Sequence, residues 1–417
     1  MNRYLLLLIL AIGLWSGCNK DNDEQECTPP EYTWNTPTFE SQGNWLWVTD
    51  TTSAVLARME AESQNSVLLM AEECVDRPNL NLLEISSTTA PDNTNRTVFN
   101  LTTILNAPDG LSWDTLPVPR REEWEVAVGG VSSLDELLWP AQSKELFTGD
   151  IFLDPAADLL SFELQIPDTF PAYATILANG ESTPRYLWTP SAETGAFTFD
   201  YPTLPTPVQT GPIGLPNAGN WRYRVFGLAP NGEAVLDYSS MPDLVSGSFD
   251  PLLPASLPDG FRLLVQEENT FEGLPFSANR YNKVVSTLPG NIPASGSAFS
   301  MERIGDTLSV STTGDTPDLY VLRVIDYRGA GPWLNWTIYG TAQDFERLVL
   351  PQWPEVFAAN RSALLGNGRQ TVALLSARSY DSRPAYGQVL EAIAQQQIHW
   401  EAEQGILERT RAFLFQP

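Results

Sequence analysis

Leu160-Ser161-Phe162-Glu163-Leu164-Gln165-Ile166 sets four apolar side chains on one face of an extended chain and three polar ones on the other. A period of two belongs to a strand with one face in a core and the other in water. Trp221-Arg222-Tyr223-Arg224-Val225 and Phe197-Thr198-Phe199-Asp200-Tyr201 repeat it. Leu319-Tyr320-Val321-Leu322-Arg323-Val324-Ile325 is apolar almost throughout, which predicts a central strand covered on both faces. Turn signals at Ala107-Pro108-Asp109-Gly110 and Pro230-Asn231-Gly232 punctuate such runs, and the five prolines from Pro202 to Pro216 predict an extended connector or edge. With 33 Pro, 28 Gly and 13 Trp among 417 residues, the chain reads as an all-β protein of many short strands.

An internal echo suggests how the strands are grouped. Trp188-Thr189 is followed by Phe197 and Pro202-Thr203-Leu204-Pro205, while Trp336-Thr337 is followed by Phe345 and Pro351-Gln352-Trp353-Pro354. The spacing predicts a duplicated β-module, residues 131–245 and 246–355, with Trp188 and Trp336 at equivalent buried places. Residues 36–130 read as a separate N-terminal β-sandwich. Residues 356–417 read as a short helix, Tyr386 to Gln396, followed by a closing hairpin of Ile398–Glu403 and Thr410–Phe415. Trp45-Leu46-Trp47-Val48-Thr49-Asp50-Thr51-Thr52-Ser53-Ala54-Val55-Leu56-Ala57 reads as strand, turn, strand. It is similar to the opening hairpin of carboxypeptidase-regulatory-like and transthyretin-like β-sandwiches, with Thr52-Ser53 where a glycine is usual. The expected architecture is therefore a tandem of β-sandwich modules, immunoglobulin-like or transthyretin-like.

The first residues speak to location. Arg3, an apolar run from Leu5 to Leu14 and Trp15-Ser16-Gly17-Cys18 have the layout of a secretory signal. The run is far short of the ~20 residues that span a bilayer. Ser16-Gly17 before Cys18 resembles a bacterial lipobox, with Trp15 in place of the usual aliphatic residue. The four acids of Asn19-Lys20-Asp21-Asn22-Asp23-Glu24-Gln25-Glu26 resemble the tether of Bacteroidota-type surface lipoproteins. The resemblance implies a signal peptide over 1–17, lipidation of Cys18, a tether over 18–35, and exposure on the outer membrane, whose lipid is the first partner. An ordinary signal peptide with an incidental cysteine is the alternative. With Cys18 lipidated, Cys27 and Cys74 remain, as a disulfide pinning the tether to the fold or as two free thiols.

Composition narrows the chemistry. A net charge of −27 repels nucleic acid and anionic surfaces. His399 is the single histidine, so His-paired zinc motifs are excluded and a triad would have to use His399 itself. No nucleophile-elbow, CxxC or dinucleotide fingerprint occurs. Asp21-Asn22-Asp23 starts like a calcium loop but lacks its glycine and closing glutamate, and no cofactor or metal is expected. Paired carboxylates remain open in a chain with 51 acids. Trp139, Trp333 and Trp353 each stand beside a proline, where loops would display their rings for stacking on sugar, while most other tryptophans are expected in cores. The expected function is non-catalytic binding of a neutral glycan or an envelope protein by a lipid-anchored surface protein. A glycan-degrading hydrolase and a structural spacer or adhesin module are the alternatives.

Overall fold

Along Trp333–Gly340 the side chains alternate strictly between half-buried and buried. That strand lies near the middle of a twelve-stranded sheet, the organising element of the molecule. The computed structural model describes residues 29–415 except 37–42, 63–65, 72–73, 115–120, 139–146, 149–151, 168–171, 179, 190–195, 207, 210, 229–233, 238–245, 254–259, 328–330, 367–370 and 397–399. In chain order the strands of the large sheet are β1 (Gly43–Thr49), β2 (Val55–Ala61), β3 (Asn79–Thr89), β4 (Asn95–Ile104), β5 (Trp221–Leu228) and β6 (Ala234–Asp237). They continue as β7 (Phe261–Phe271), β8 (Leu274–Val285), β9 (Leu319–Asp326), β10 (Trp333–Gly340), β11 (Thr371–Tyr380) and β12 (Ile406–Phe415). Their spatial order is β6-β5-β7-β8-β12-β11-β9-β10-β4-β3-β1-β2. Every neighbouring pair is antiparallel except β10 with β4, where Trp333–Tyr339 runs parallel to Val98–Ile104. The sheet is thus two antiparallel halves, residues 43–104 and 221–415, closed by one parallel seam.

Both faces are covered over much of their area. On one face Trp47, Leu83, Phe99, Leu101, Tyr320, Leu322, Trp336 and Leu375 form the largest core. Its cover comes from the small sheet of Ala298–Ile304, Thr307–Thr313 and Leu348–Val349, and from α1 (Ala342–Glu346) and α2 (Ala358–Leu365). On the other face Leu46, Val48, Leu80 and Ile104 pack under Glu31–Asn35, Ser66–Met70 and Ser112–Trp113. Beside them α3 (Tyr386–Ala394) and α4 (Trp400–Gln404) cover Leu319, Val321, Tyr380 and Ile406. The run Leu319–Asp326 is covered on both faces, as its composition predicts, and only Arg323 is exposed. The alternating run at 160–166 is the strand Leu159–Pro167 of a five-stranded sheet. That sheet shares a core of Val126, Val128, Phe162, Ile176 and Leu187 with a three-stranded one.

The opening hairpin forms as expected. Ser53 takes φ 75° at its turn, the left-handed conformation a glycine would supply. The turn's own hydrogen bonds hold it there, among them Asp50 Oδ1 accepting the N–H of Thr52 at 2.8 Å and of Ala54 at 2.9 Å, and Ser53 Oγ donates to the Val349 carbonyl at 3.0 Å.

Three expectations about organisation need correction. The boundaries near 130 and 245 do not separate sandwiches in tandem, because strands from 43–104 and 221–415 lie in one sheet. The duplication also fails: Trp188 is on Arg185–Thr189, an edge strand of a three-stranded sheet, whereas Trp336 is central, between an antiparallel and a parallel neighbour. Trp-Thr followed by Pro-x-x-Pro marks a strand and its exit but says nothing of neighbours. The closing hairpin is replaced by α4 and β12. β12 pairs with β8 on one side and β11 on the other, so no edge is left for a hairpin arm. As a helix, Trp400–Gln404 buries Ala402 and brings Glu401 to Arg378. The short helix before it is present as α3.

Candidate functional site

The odd-numbered residues of β10 make a polar stripe on the sheet. Leu334, Trp336 and Ile338 take the core side, so Trp333, Asn335 and Thr337 fall on the opposite face. The register then aligns partners from three other strands. Asn335 lies opposite Asn100 of β4, which lies opposite Glu84 of β3. One row over, Arg323 of β9 faces Thr337, which faces Thr102. On the other side Trp333 faces Val98, which faces Ser86. With strands ~4.8 Å apart, the stripe extends about 14 Å from β9 to β3.

Its groups are unevenly satisfied. Asn100 Nδ2 donates to Ser86 Oγ at 3.3 Å. Asn335 Oδ1 and Trp333 Nε1 are shielded from bulk solvent and have no hydrogen-bond partner among the described residues. Such groups cost free energy until something binds them. The Tyr327 ring, 39% exposed, sits 5.3 Å from the Trp333 ring at 57°. Arg323 reaches solvent. Burial pushes the Glu84 carboxyl above its ordinary pKa. The stripe therefore offers two aromatic rings, a guanidinium, amides, hydroxyls and one carboxyl whose pKa burial raises.

Because burial raises the Glu84 pKa, the folded state holds that proton more tightly than the unfolded chain. Ionised Glu84 then opposes folding at neutral pH, and this opposition disappears below the ordinary carboxylate range, about pH 4. Glu84→Gln is expected to melt above the parent at pH 7 and to converge with it toward pH 4. Melting curves at the two pH values check this, and an equal difference at both would contradict it.

The three tryptophans chosen from sequence have different fates. Trp333 belongs to the stripe, half-buried on a strand and not on a loop. Trp353 is a correction: it is 4% exposed, its ring 5.8 Å from Phe99 and 6.2 Å from Trp336. The Pro351–Pro354 loop is pressed onto the main core, and Trp47 Nε1 donates to the Gln352 carbonyl at 3.1 Å. A neighbouring proline marks a strand end, and a strand end can close a core as well as leave it. Trp139, Cys18, Cys27 and His399 lie outside the described residues. Cys74 is disulfide-bonded, and the other two cysteines of the chain both lie outside the described residues.

Sequence reasoning passed over Tyr327, Arg323, Asn335, Asn100 and Glu84. The alternation of polar residues in β4 and β10 is readable, but they become one surface only through the parallel seam. Among the described residues no group of three or more His, Cys, Asp or Glu is placed to hold a metal ion. No helix among them is long and apolar enough to cross a membrane. No family model and no curated protein matches this chain.

Proposed function

We propose that this chain is a lipid-anchored cell-surface protein, held in the outer membrane through Cys18, that binds a neutral glycan without cleaving it. The observation that carries the binding role is the stripe: paired rings of Trp333 and Tyr327 beside the unsatisfied amide oxygen of Asn335. Rings of this kind take the apolar face of a sugar, and amides, hydroxyls and Arg323 take its hydroxyl groups. The net charge of −27 favours an uncharged ligand over an anionic one. Glycoside hydrolysis of the usual kind needs two carboxyls about 5–10 Å apart, and the rows of the stripe contribute one, Glu84.

Two experiments test this. Wild-type protein is expected to incorporate labelled palmitate and Cys18→Ala to incorporate none; equal labelling would remove the anchor. Protein beginning at residue 19 is expected to bind members of a neutral oligosaccharide panel with little dependence on salt. Trp333→Ala should weaken that binding about tenfold, the equivalent of ~1.4 kcal/mol of ring contact. Reducing-end release that disappears in Glu84→Gln would replace binding by hydrolysis.

A further inference from the structure

A recess that shares no residue with the stripe lies where the turn after β11 and the helices α3 and α4 meet around a cleft of about 560 Å³. Trp400 lines it, backed by the Tyr380 ring at 5.4 Å. Around it stand Arg383, Gln388, Glu391, Gln395 and Gln404.

The hydrogen bonds within this wall decide what it presents. The Ala385 N–H donates to Gln388 Oε1 at 3.2 Å, so the Gln388 amide oxygen is committed and its NH₂ group is left over. Ser382 Oγ donates to Gln404 Oε1, which leaves the Gln404 NH₂ likewise. Gln395 Nε2 donates to Glu391 Oε1 at 3.3 Å on the exposed side of α3, which engages one of the two carboxylate oxygens. Arg383 is exposed at the rim. What remains is donor-rich, with an indole ring beside it. An anionic ligand would meet Glu391 and the strong negative charge of the chain. The match is an uncharged ligand with carbonyl acceptors and an apolar face.

We infer that the α3–α4 cleft binds an N-acetylated amino sugar, its acetamido carbonyl accepting from the Gln388 and Gln404 amides and its ring lying against Trp400. The site shares no residue with the stripe and stands whether or not the stripe binds glycan.

Gln388→Glu is the discriminating variant. It keeps the acceptor for the Ala385 N–H, and so the helix start, but replaces the free donor by an acceptor. By calorimetry on protein beginning at residue 19, chitotriose should bind, and on Trp333→Ala protein, whose stripe is disabled, cellotriose should bind at least tenfold more weakly than chitotriose. Gln388→Glu and Trp400→Ala should each lose at least tenfold in chitotriose affinity, and Trp333→Ala should lose none. Gln388→Glu should also melt with the parent, so that its loss is one of recognition. The inference is overturned if chitotriose does not bind at millimolar concentration, if cellotriose binds the Trp333→Ala protein as well as chitotriose does, or if Gln388→Glu binds as the parent does. It is equally overturned if Trp333→Ala abolishes binding, since the sugar would then sit on the stripe.

Discussion

Truncating Trp336 to alanine is expected to cost about 3–5 kcal/mol of folding stability, the range for removing a large aromatic side chain from a core. The side chain is fully buried in the largest core, 6.2 Å from the Trp353 ring. Its Nε1 donates to Thr103 Oγ1 at 2.9 Å, and Thr103 in turn donates to Asn81 Oδ1 at 2.7 Å. That chain of bonds crosses the parallel seam from β10 to β4 and on to β3. The loss should therefore weaken both halves of the sheet together. Chemical denaturation followed by tryptophan fluorescence and by far-ultraviolet dichroism should give coincident, shifted transitions. A shift below about 1 kcal/mol, or a transition confined to one half, would contradict the role of the seam.

Replacing Arg378 by methionine is expected to cost a similar 3–5 kcal/mol, for an electrostatic reason. Arg378 of β11 lies under α4, with Nη1 2.6 Å from Glu401 and Nε 3.1 Å from Glu408 of β12. The second contact is a charge pair, poorly aligned for a hydrogen bond. Arg280 of β8 approaches Glu408 at 3.7 Å from the other side. Burial pushes the Glu408 carboxyl up, but Arg378 and Arg280, aided by the Ser376 and Thr410 hydroxyls, outweigh it and hold the pKa below its ordinary value. In the parent, Glu408 therefore contributes stability above the ordinary carboxylate range, and the contribution is lost as pH falls through its lowered pKa. In Arg378→Met burial prevails, the pKa rises, and the variant should regain stability on acidification. Adding Glu408→Leu should restore most of the loss at pH 7. If the single variant matched the parent, or the double variant were worse than the single, the buried charges would not be coupled as described.

Much of the fold follows from local pattern. The alternations at 160–166 and 221–225, the nearly continuous apolar run at 319–325 and the hairpin at 45–57 all became strands, because burying one face or two is decided within a few residues. What local pattern does not carry is adjacency. The strands around Trp188 and Trp336 look alike in sequence but differ in neighbours, and neighbours decide whether a ring lies at an edge or at the centre. The sequence of 398–403 alternates like a strand, yet with both sides of β12 occupied Trp400–Gln404 found a better place as a helix over Arg378. The site was legible in the same proportion. Trp333 could be chosen from its own surroundings, whereas Asn100 and Glu84 joined it through a pairing across most of the chain.

The parallel seam also sets an order in time. β4 is complete at Ile104, but its partner begins at Trp333, about 230 residues later. At ~5–20 residues per second of synthesis, that is on the order of 10–50 s during which the first four strands exist with an unclosed border of backbone donors and acceptors. A newborn chain in that interval can pair with whatever strand reaches it first, including the same border on another copy. A chain that ends before residue 333 never leaves that state, and its fate should be decided by the chaperones that meet it first.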